Sequence, residues 1–319
     1  MGLATIINMI VFACVPAWGQ WASILAWVLW WLDVALSLAT NLYIPFIIMY
    51  KHEVRRYLTG VNSIFLILLT HTQAKLSTMT AVWLLPIVST IVASASGGIV
   101  ANVLRNDQHA LWTVITSYIL WGTGVPLAMF ALVLYFQRLT LHSLPPREVI
   151  VSVFLPLGPL GQGAFGVMQL GKVSMKVFPR TKTLPAVPMA GEILYVIGIL
   201  VALIMLGFGL VWLFCALASI SRSRFPFNMG WWGFTFPLGV YAVALNTVGE
   251  ELPSRFFRVL GTIFSLTVVL LWMVVARGTV MRSLDGGLLV APCLPAWERE
   301  MAEKEAKQSS VAQPLQASD

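Results

Sequence analysis

The run ILYVIGILVALIMLGFGLVWLFCALASI, residues 193–220, contains no charged side chain. A helix needs roughly 20 apolar residues to cross a bilayer, so this run predicts a transmembrane helix. The rest of the chain is similar, because 58% of its 319 residues are hydrophobic and 10% are charged. A soluble domain carries about 25% charged residues. The composition therefore argues against a water-soluble enzyme and predicts an all-α membrane protein with several membrane-spanning helices.

Seven further apolar runs give the predicted number of spans. They lie at about 2–17 and 21–49, within 76–104, 110–137 and 149–170, and within 225–248 and 259–276. Together with 193–220 they predict about eight transmembrane helices. We assign residues 1–282 to a transmembrane transporter domain and residues 283–319 to a polar cytoplasmic tail.

The loop charges predict the orientation of these spans. With eight spans both termini lie on one side, and that side holds 13 of the 20 Lys and Arg residues. Short cytoplasmic loops are enriched in Lys and Arg, so both termini are predicted to be cytoplasmic. The net charge of +7 lies mostly on loops and favours an anion as the transported species.

The motifs of an enzyme are absent from the sequence. There is no nucleotide-binding loop, no metal-ligand spacing and no nucleophile with a nearby base. The segment Gly161-Gln-Gly-Ala-Phe-Gly166 matches the dinucleotide fingerprint in form, but it lies inside an apolar run rather than after a strand. We therefore predict a transporter without cofactor or metal, with the lipid bilayer and a small anion as partners and no nucleic acid.

Four prolines lie inside apolar runs: Pro86, Pro156, Pro159 and Pro237. Proline removes one intrahelical hydrogen bond and kinks the helix, and the freed carbonyl then needs a neighbour or a water-filled cavity. The four prolines predict helix breaks around a conduit. Ordinary tolerance of proline in membrane helices is the alternative. The glycines of 156–166 fit either a pore-lining break or tight helix packing.

Polar side chains on the spans are candidates for lining such a conduit. They are Ser89, Ser94, Ser152, Gln162 and Thr235. No Lys, Arg or His lies in the middle of a predicted span, so we expect dipoles and helix ends, rather than a buried cation, to attract the anion. Asp33 is an ionisable residue deep in a span, which predicts a proton-accepting or structural carboxylate that does not face lipid.

Three stretches carry a resemblance to a known family: residues 122–129 (GTGVPLAM), 156–163 (PLGPLGQG) and 227–239 (FNMGWWGFTFPLG). They resemble the tellurite-resistance/dicarboxylate transporter family, which includes the plant slow anion channels. Residues 144–154 (LPPREVIVSVF) are similar to its fungal sulfite-exporting branch. The resemblance covers about 1–50 and 74–290.

The resemblance implies ten helices in five hairpins around a central pore, in a homotrimer with one pore per subunit. It implies a plasma-membrane anion transporter that exports sulfite. A malate or C4-dicarboxylate transporter and a truncated isoform without transport activity remain alternatives. In this family a phenylalanine on the ninth helix closes the pore, and the Thr-Phe-Pro context carries that gate to Phe236, with Phe234 as the second choice.

The chain departs from the family pattern in two places. Eight spans are two short of ten, which predicts that two N-terminal helices of the family are missing here. Residues 54–73 interrupt the family pattern, so we predict an insertion, with a retained intron as its origin.

Overall fold

A computed structural model describes residues 1–54, 80–142, 144–145, 147–222 and 225–284, with side chains for all of these except 47–54 and 148. The predicted insertion at 54–73 lies outside the described residues except for Val54. The predicted polar tail lies outside them from residue 285 onward, and the last described helix ends at Leu284.

The described residues form eight α-helices and no strand, which confirms the predicted all-α fold. The helices are α1 (Gly2–Trp18, with a π-helical turn at Ile10–Cys14), α2 (Gln20–Val54), α3 (Leu84–Val103), α4 (Asp107–Leu141), α5 (Leu157–Thr181), α6 (Ala190–Ser221), α7 (Trp232–Glu251) and α8 (Arg255–Leu284). Short 3₁₀ segments precede α3, α5 and α7, at Ala81–Trp83, Arg147–Phe154 and Met229–Trp231.

Six of these helices are long and apolar enough to cross a membrane, namely α2, α3, α4, α5, α6 and α8. The shorter helix α1 is apolar and turns directly into α2 at Gly19, whose φ of 78° suits glycine. The helix α7 is less apolar because it ends in polar and acidic residues, including Thr247 and Glu251. The polytopic membrane fold predicted from the sequence is therefore confirmed.

The helices divide into a buried set and a peripheral set. Buried residues make up 89% of the apolar stretch within 149–181 and 83% of that within 81–103. In α8 they make up only 11% of the apolar stretch. The peripheral helices α2, α4, α6 and α8 expose many Leu, Ile, Val and Phe side chains. An apolar exterior is what contact with lipid requires, so α3 and α5 form the centre of the bundle.

Small residues allow the central helices to approach their neighbours closely. A Cβ at Gly97 of α3 would lie 2.7 Å from the Trp30 ring of α2, and a Cβ at Gly161 of α5 would lie 2.7 Å from the backbone nitrogen of Tyr241 in α7. Contacts this short leave no space for a side chain. The small-residue run 93–98 and the glycines of 156–166 thus serve helix packing, as small residues do in membrane bundles.

Candidate functional site

A cavity of about 370 Å³ lies at the end of the bundle where α3, α5 and α7 begin. Its wall includes Leu85 of α3, Leu155 just before α5, and Gly233 and Phe236 of α7. Ser152 contributes a polar residue to a wall that is otherwise largely apolar. The starts of all three helices therefore border the cavity.

The shared direction of these helices sets the electrostatics of the cavity. Each of α3, α5 and α7 presents its N-terminal end there, preceded by a 3₁₀ segment. A helix carries a partial positive charge equivalent to roughly half an elementary charge at its N-terminus. Three such ends at one cavity favour an anion, and no Lys, Arg or His side chain is among the described residues of its wall.

Phe236 lies between the cavity and the start of α5. Its side chain is half-buried and lines the cavity, and a Cβ placed on Gly158 would approach its Cε1 atom to 3.3 Å. The next residue, Pro237, has no amide hydrogen to donate to the carbonyl of Gly233, one turn earlier. The aromatic ring is thus carried on a helix turn that lacks one backbone hydrogen bond.

Phe234 has a different environment from Phe236. It is 5% exposed and belongs to an aromatic cluster in which its ring centroid lies 4.9 Å from Phe154 and 5.7 Å from Trp231. It does not line the cavity. Of the two predicted gate positions, Phe236 therefore lines the cavity and Phe234 packs in the core, and the gating role itself stays a prediction.

The other predicted pore-lining residues fall at different places. Ser152 lines the cavity, and Gln162 lies one helical turn after Gly158 on the same face of α5, where it is buried. The Ser89 hydroxyl donates to the Pro86 carbonyl and faces Thr40 of α2. Ser94 donates to the Ser117 carbonyl of α4 at 2.7 Å. The hydroxyls of Ser89 and Ser94 thus serve helix packing rather than the cavity.

Thr235 does not line the cavity either, since its hydroxyl donates to the Trp232 carbonyl at 2.9 Å within α7. The hydroxyl is occupied inside its own helix. Ser89, Ser94 and Thr235 therefore do not line this cavity, and a pore-lining role for them stays a prediction. Sequence spacing alone did not show which of these polar side chains face the cavity.

The four predicted helix breaks also differ from one another. Pro156 caps α5, Pro159 lies in the first turn of that helix, and the predicted span therefore divides into a 3₁₀ segment and a helix. Pro237 lies inside α7. Pro86 lies in the first turn of α3, where a missing amide hydrogen is tolerated, so it does not interrupt a helix.

Comparison with known proteins agrees with this architecture. Residues 1–280 match the model of the voltage-dependent anion channel (SLAC1) family. The chain belongs to this family. It is 53% identical over 283 residues to the sulfite efflux pump SSU1 of Arthroderma benhamiae, a match that covers 89% of this chain and 70% of that protein.

More distant relatives carry the same name. The sulfite efflux pump SSU1 of Candida albicans is 27% identical over 304 residues, which cover 89% of this chain and 58% of that protein. That of Saccharomyces cerevisiae is 26% identical over 306 residues, 83% of this chain and 65% of that protein. No solved structure matches the chain.

Asp33 lies inside this SLAC1-family bundle rather than at its lipid-facing surface. Its side chain is 3% exposed, and its Oδ2 atom has no hydrogen-bond partner among the described residues. The prediction that Asp33 avoids lipid is consistent with this position. A proton-accepting role stays a prediction.

Two polar groups were missed by sequence reasoning. The sequence placed Arg138 in a loop, but α4 continues to Leu141 and leaves Arg138 only 4% exposed. At the opposite end of the bundle, the Glu251 carboxylate of α7 forms an ion pair with Lys172 Nζ at 2.5 Å and accepts a hydrogen bond from the Tyr195 hydroxyl at 2.5 Å. No sequence spacing could have shown this second cluster, because its members come from three different helices.

Proposed function

We propose that the protein is a plasma-membrane anion transporter that exports sulfite through the cavity beside Phe236. The observation that carries the proposal is the convergence of the N-terminal ends of α3, α5 and α7 on that cavity. The relatives named sulfite efflux pumps, one of them 53% identical, support sulfite as the exported anion.

The physical basis of the proposal is attraction without tight binding. Helix N-termini favour an anion, yet each carries only about half an elementary charge and binds it less strongly than a full positive charge buried in the wall would. Conduction needs an anion that enters readily and also leaves. A site made mainly of helix ends and an apolar ring meets both conditions.

The charges around the cavity support the direction of transport. Arg222 and Arg282 lie exposed on the side of the bundle where the cavity opens, and Arg282 Nη1 donates to the Phe227 carbonyl at 2.6 Å. This is the side for which the positive-inside rule predicts a cytoplasmic location, with both termini. Basic side chains there raise the local anion concentration at the inner mouth.

The proposal also includes a pore gate, a homotrimeric assembly and a structural role for Asp33. Phe236 blocks a hydrated anion by its bulk and by removing water from the narrow path, as hydrophobic constrictions do. The family resemblance supports a homotrimer with one path in each subunit. Asp33, which forms no salt bridge with a described residue, is proposed to be structural rather than a proton carrier.

The test measures sulfite efflux from sulfite-loaded cells that lack their own exporter. The parent chain is compared with Gly233→Leu, which fills the cavity, and with Gly207→Leu, whose added side chain meets open space on α6. Export by the parent and Gly207→Leu but not by Gly233→Leu supports the proposal. Equal export by both variants contradicts this path, and export of malate instead of sulfite favours the dicarboxylate alternative.

A further inference from the structure

Tyr241 is a fully buried residue near the middle of α7 that is bonded to a neighbouring helix. Its hydroxyl donates a hydrogen bond to the Leu206 carbonyl of α6 at 2.6 Å. Its ring centroid lies 5.5 Å from that of Phe264 in α8. A large aromatic side chain that is buried among helices, with its one polar group bonded, has little freedom to move. Tyr241 therefore fixes its part of α7 against α6.

Two glycines of the neighbouring helices leave the space in which Tyr241 lies. A Cβ at Gly209 of α6 would clash with the Tyr241 Cε2 atom. A Cβ at Gly161 of α5 would lie 2.8 Å from the Tyr241 Cα atom, which is too close for a side chain. Small residues permit such close approach between membrane helices. The ring and the backbone of Tyr241 are thus held from two sides.

This fixed residue comes one helical turn after the proline of α7. Pro237 has no amide hydrogen to donate to the carbonyl of Gly233, so the helix bends more easily there. Phe236 directly precedes the proline, is half-buried and lies over Gly158 of α5. The part of α7 after the proline is therefore held by Tyr241, whereas the part that carries Phe236 lacks one backbone hydrogen bond.

One face of α5 receives both aromatic residues of α7. Gly158 and Gly161 lie three residues apart and therefore on the same face of α5. Phe236 lies at the first glycine and Tyr241 at the second. Five residues of helix separate the two aromatic residues, about 7.5 Å along the axis. A shift of α7 at Gly161 would consequently move the ring that lies at Gly158.

We propose that Tyr241 is a positioning residue for the aromatic gate. By holding α7 just after Pro237, it keeps the Phe236 ring over Gly158 and confines bending to the residues before the proline. The proposal rests on the proposed function, because it takes Phe236 as the residue that closes the path. It assigns the Tyr241 hydroxyl a part in closing the path without any contact with the anion.

The first experiment measures basal anion flux and sulfite export at equal protein level. Tyr241→Phe removes only the hydroxyl, and we expect basal flux to rise about threefold, a population change that the loss of one buried hydrogen bond can produce. The half-saturating sulfite concentration should stay within about twofold of the parent, because Tyr241 does not line the cavity. Gly209→Ala forces the ring to shift and should raise basal flux in the same way.

The matched control is Thr247→Val, which removes another buried hydroxyl from α7. Thr247 is 8% exposed, and its hydroxyl donates to the Val243 carbonyl of its own helix at 2.9 Å. This variant loses no bond between helices, so basal flux should remain that of the parent. Equal flux in Tyr241→Phe and Thr247→Val overturns the proposal.

A second comparison distinguishes a positioning role from a general contribution to stability. When Phe236→Ala is already present, Tyr241→Phe should cause no further increase in basal flux, because the ring that it positions is gone. An equal effect in both backgrounds would contradict the proposal. Should Gly209→Ala fail to accumulate, Tyr241→Phe decides alone, since it adds no atom. Failure of Tyr241→Phe itself to accumulate would assign the hydroxyl to overall stability and overturn the positioning role.

Hydrogen exchange of the purified protein separates this proposal from the proposed function. Backbone amides of residues 232–240 should exchange severalfold faster in Tyr241→Phe than in the parent or in Thr247→Val, with α5 and α6 unchanged. This local change in a protein that exports no anion would contradict the proposed function and support the anchor. Sulfite export that rises in Phe236→Ala, with neither flux nor exchange altered by Tyr241→Phe, would contradict the anchor alone. Faster exchange throughout α5, α6 and α7 would also overturn it.

Discussion

The ring of Phe236 lies directly over Gly158, so that a Cβ added at 158 would come within 3.3 Å of the Phe236 Cε1 atom. The glycine belongs to the first turn of α5, and the phenylalanine precedes the proline inside α7. The aromatic ring therefore packs against the side of α5 on which a side chain at position 158 would project. The position of the ring depends on both helices at once.

Replacing the ring should open the path. Phe236→Ala removes a half-buried aromatic side chain from the cavity wall, and we expect basal anion flux to rise at least severalfold because the constriction becomes wider and more easily wetted. Anion current or sulfite efflux at equal protein level measures this. Phe234→Ala is the control: it should lower stability by about 3–5 kcal/mol by leaving a cavity in the aromatic core. Unchanged flux in Phe236→Ala would show that the ring is ordinary packing.

Adding a methyl group at position 158 should disturb the same ring from the other side. We expect Gly158→Ala to displace the ring and raise basal flux a few-fold, and we expect no further increase when Phe236→Ala is already present. Residues in contact show such non-additivity, whereas distant ones do not. Gly239→Ala is the matched control on α7, because its Cβ would meet Val268 at an ordinary 3.8 Å. Equal effects of Gly158→Ala in both backgrounds would rule out this coupling.

The ion pair at the far end of α7 should contribute to stability. Glu251→Gln weakens the contacts with both Lys172 and Tyr195, and we expect a loss of about 1–3 kcal/mol, seen as a lower melting temperature. Asp107→Asn is the control, since its partner Arg180 lies 3.7 Å away and both side chains are well exposed. That variant should change stability by less than about 1 kcal/mol. Equal shifts in the two variants would mean that the Glu251 cluster is no stronger than a surface ion pair.

Asp33 should tolerate conversion to an amide. Asp33→Asn keeps the shape of a side chain that is 3% exposed and removes a charge that forms no salt bridge with a described residue. We expect unchanged or slightly increased stability and an unchanged pH profile of export, because burial of an unpaired charge is costly. The measurement is sulfite export between mildly acidic and neutral pH. Loss of the pH dependence at normal protein level would assign Asp33 to proton transfer instead.

Sequence reasoning predicted the fold well because span length and apolar character are local properties. The uncharged run at 193–220 lies inside α6 (Ala190–Ser221), and the breaks at Pro156 and Pro159 appear at the start of α5. The sequence pattern predicted the end of a helix wrongly where the helix extends beyond its apolar run. Arg138 follows the apolar run of α4 but remains helical and buried, because the bundle around it, and not the run itself, decides its exposure.

The site was less predictable because it depends on which face of each helix turns inward. Ser89 and Ser152 look alike in the sequence, yet the first bonds within the α2–α3 contact and the second lines the cavity. The hydrophobic pattern does not show which face of a membrane helix contacts lipid and which faces the core, because both surroundings are apolar. Phe236 was preferred to Phe234 because its Thr-Phe-Pro context resembles that of the family's gate, and its role as a gate stays a prediction.

The common direction of α3, α5 and α7 makes the two ends of the bundle electrostatically unequal. Their starts meet at the cavity, so their C-terminal carbonyls lie toward the other end of the bundle, where the negative ends of the dipoles disfavour an anion. This asymmetry follows from the alternation of buried and peripheral helices along the chain. Because backbone dipoles create it, replacing one side chain leaves the direction of the three helices, and hence this asymmetry, unchanged.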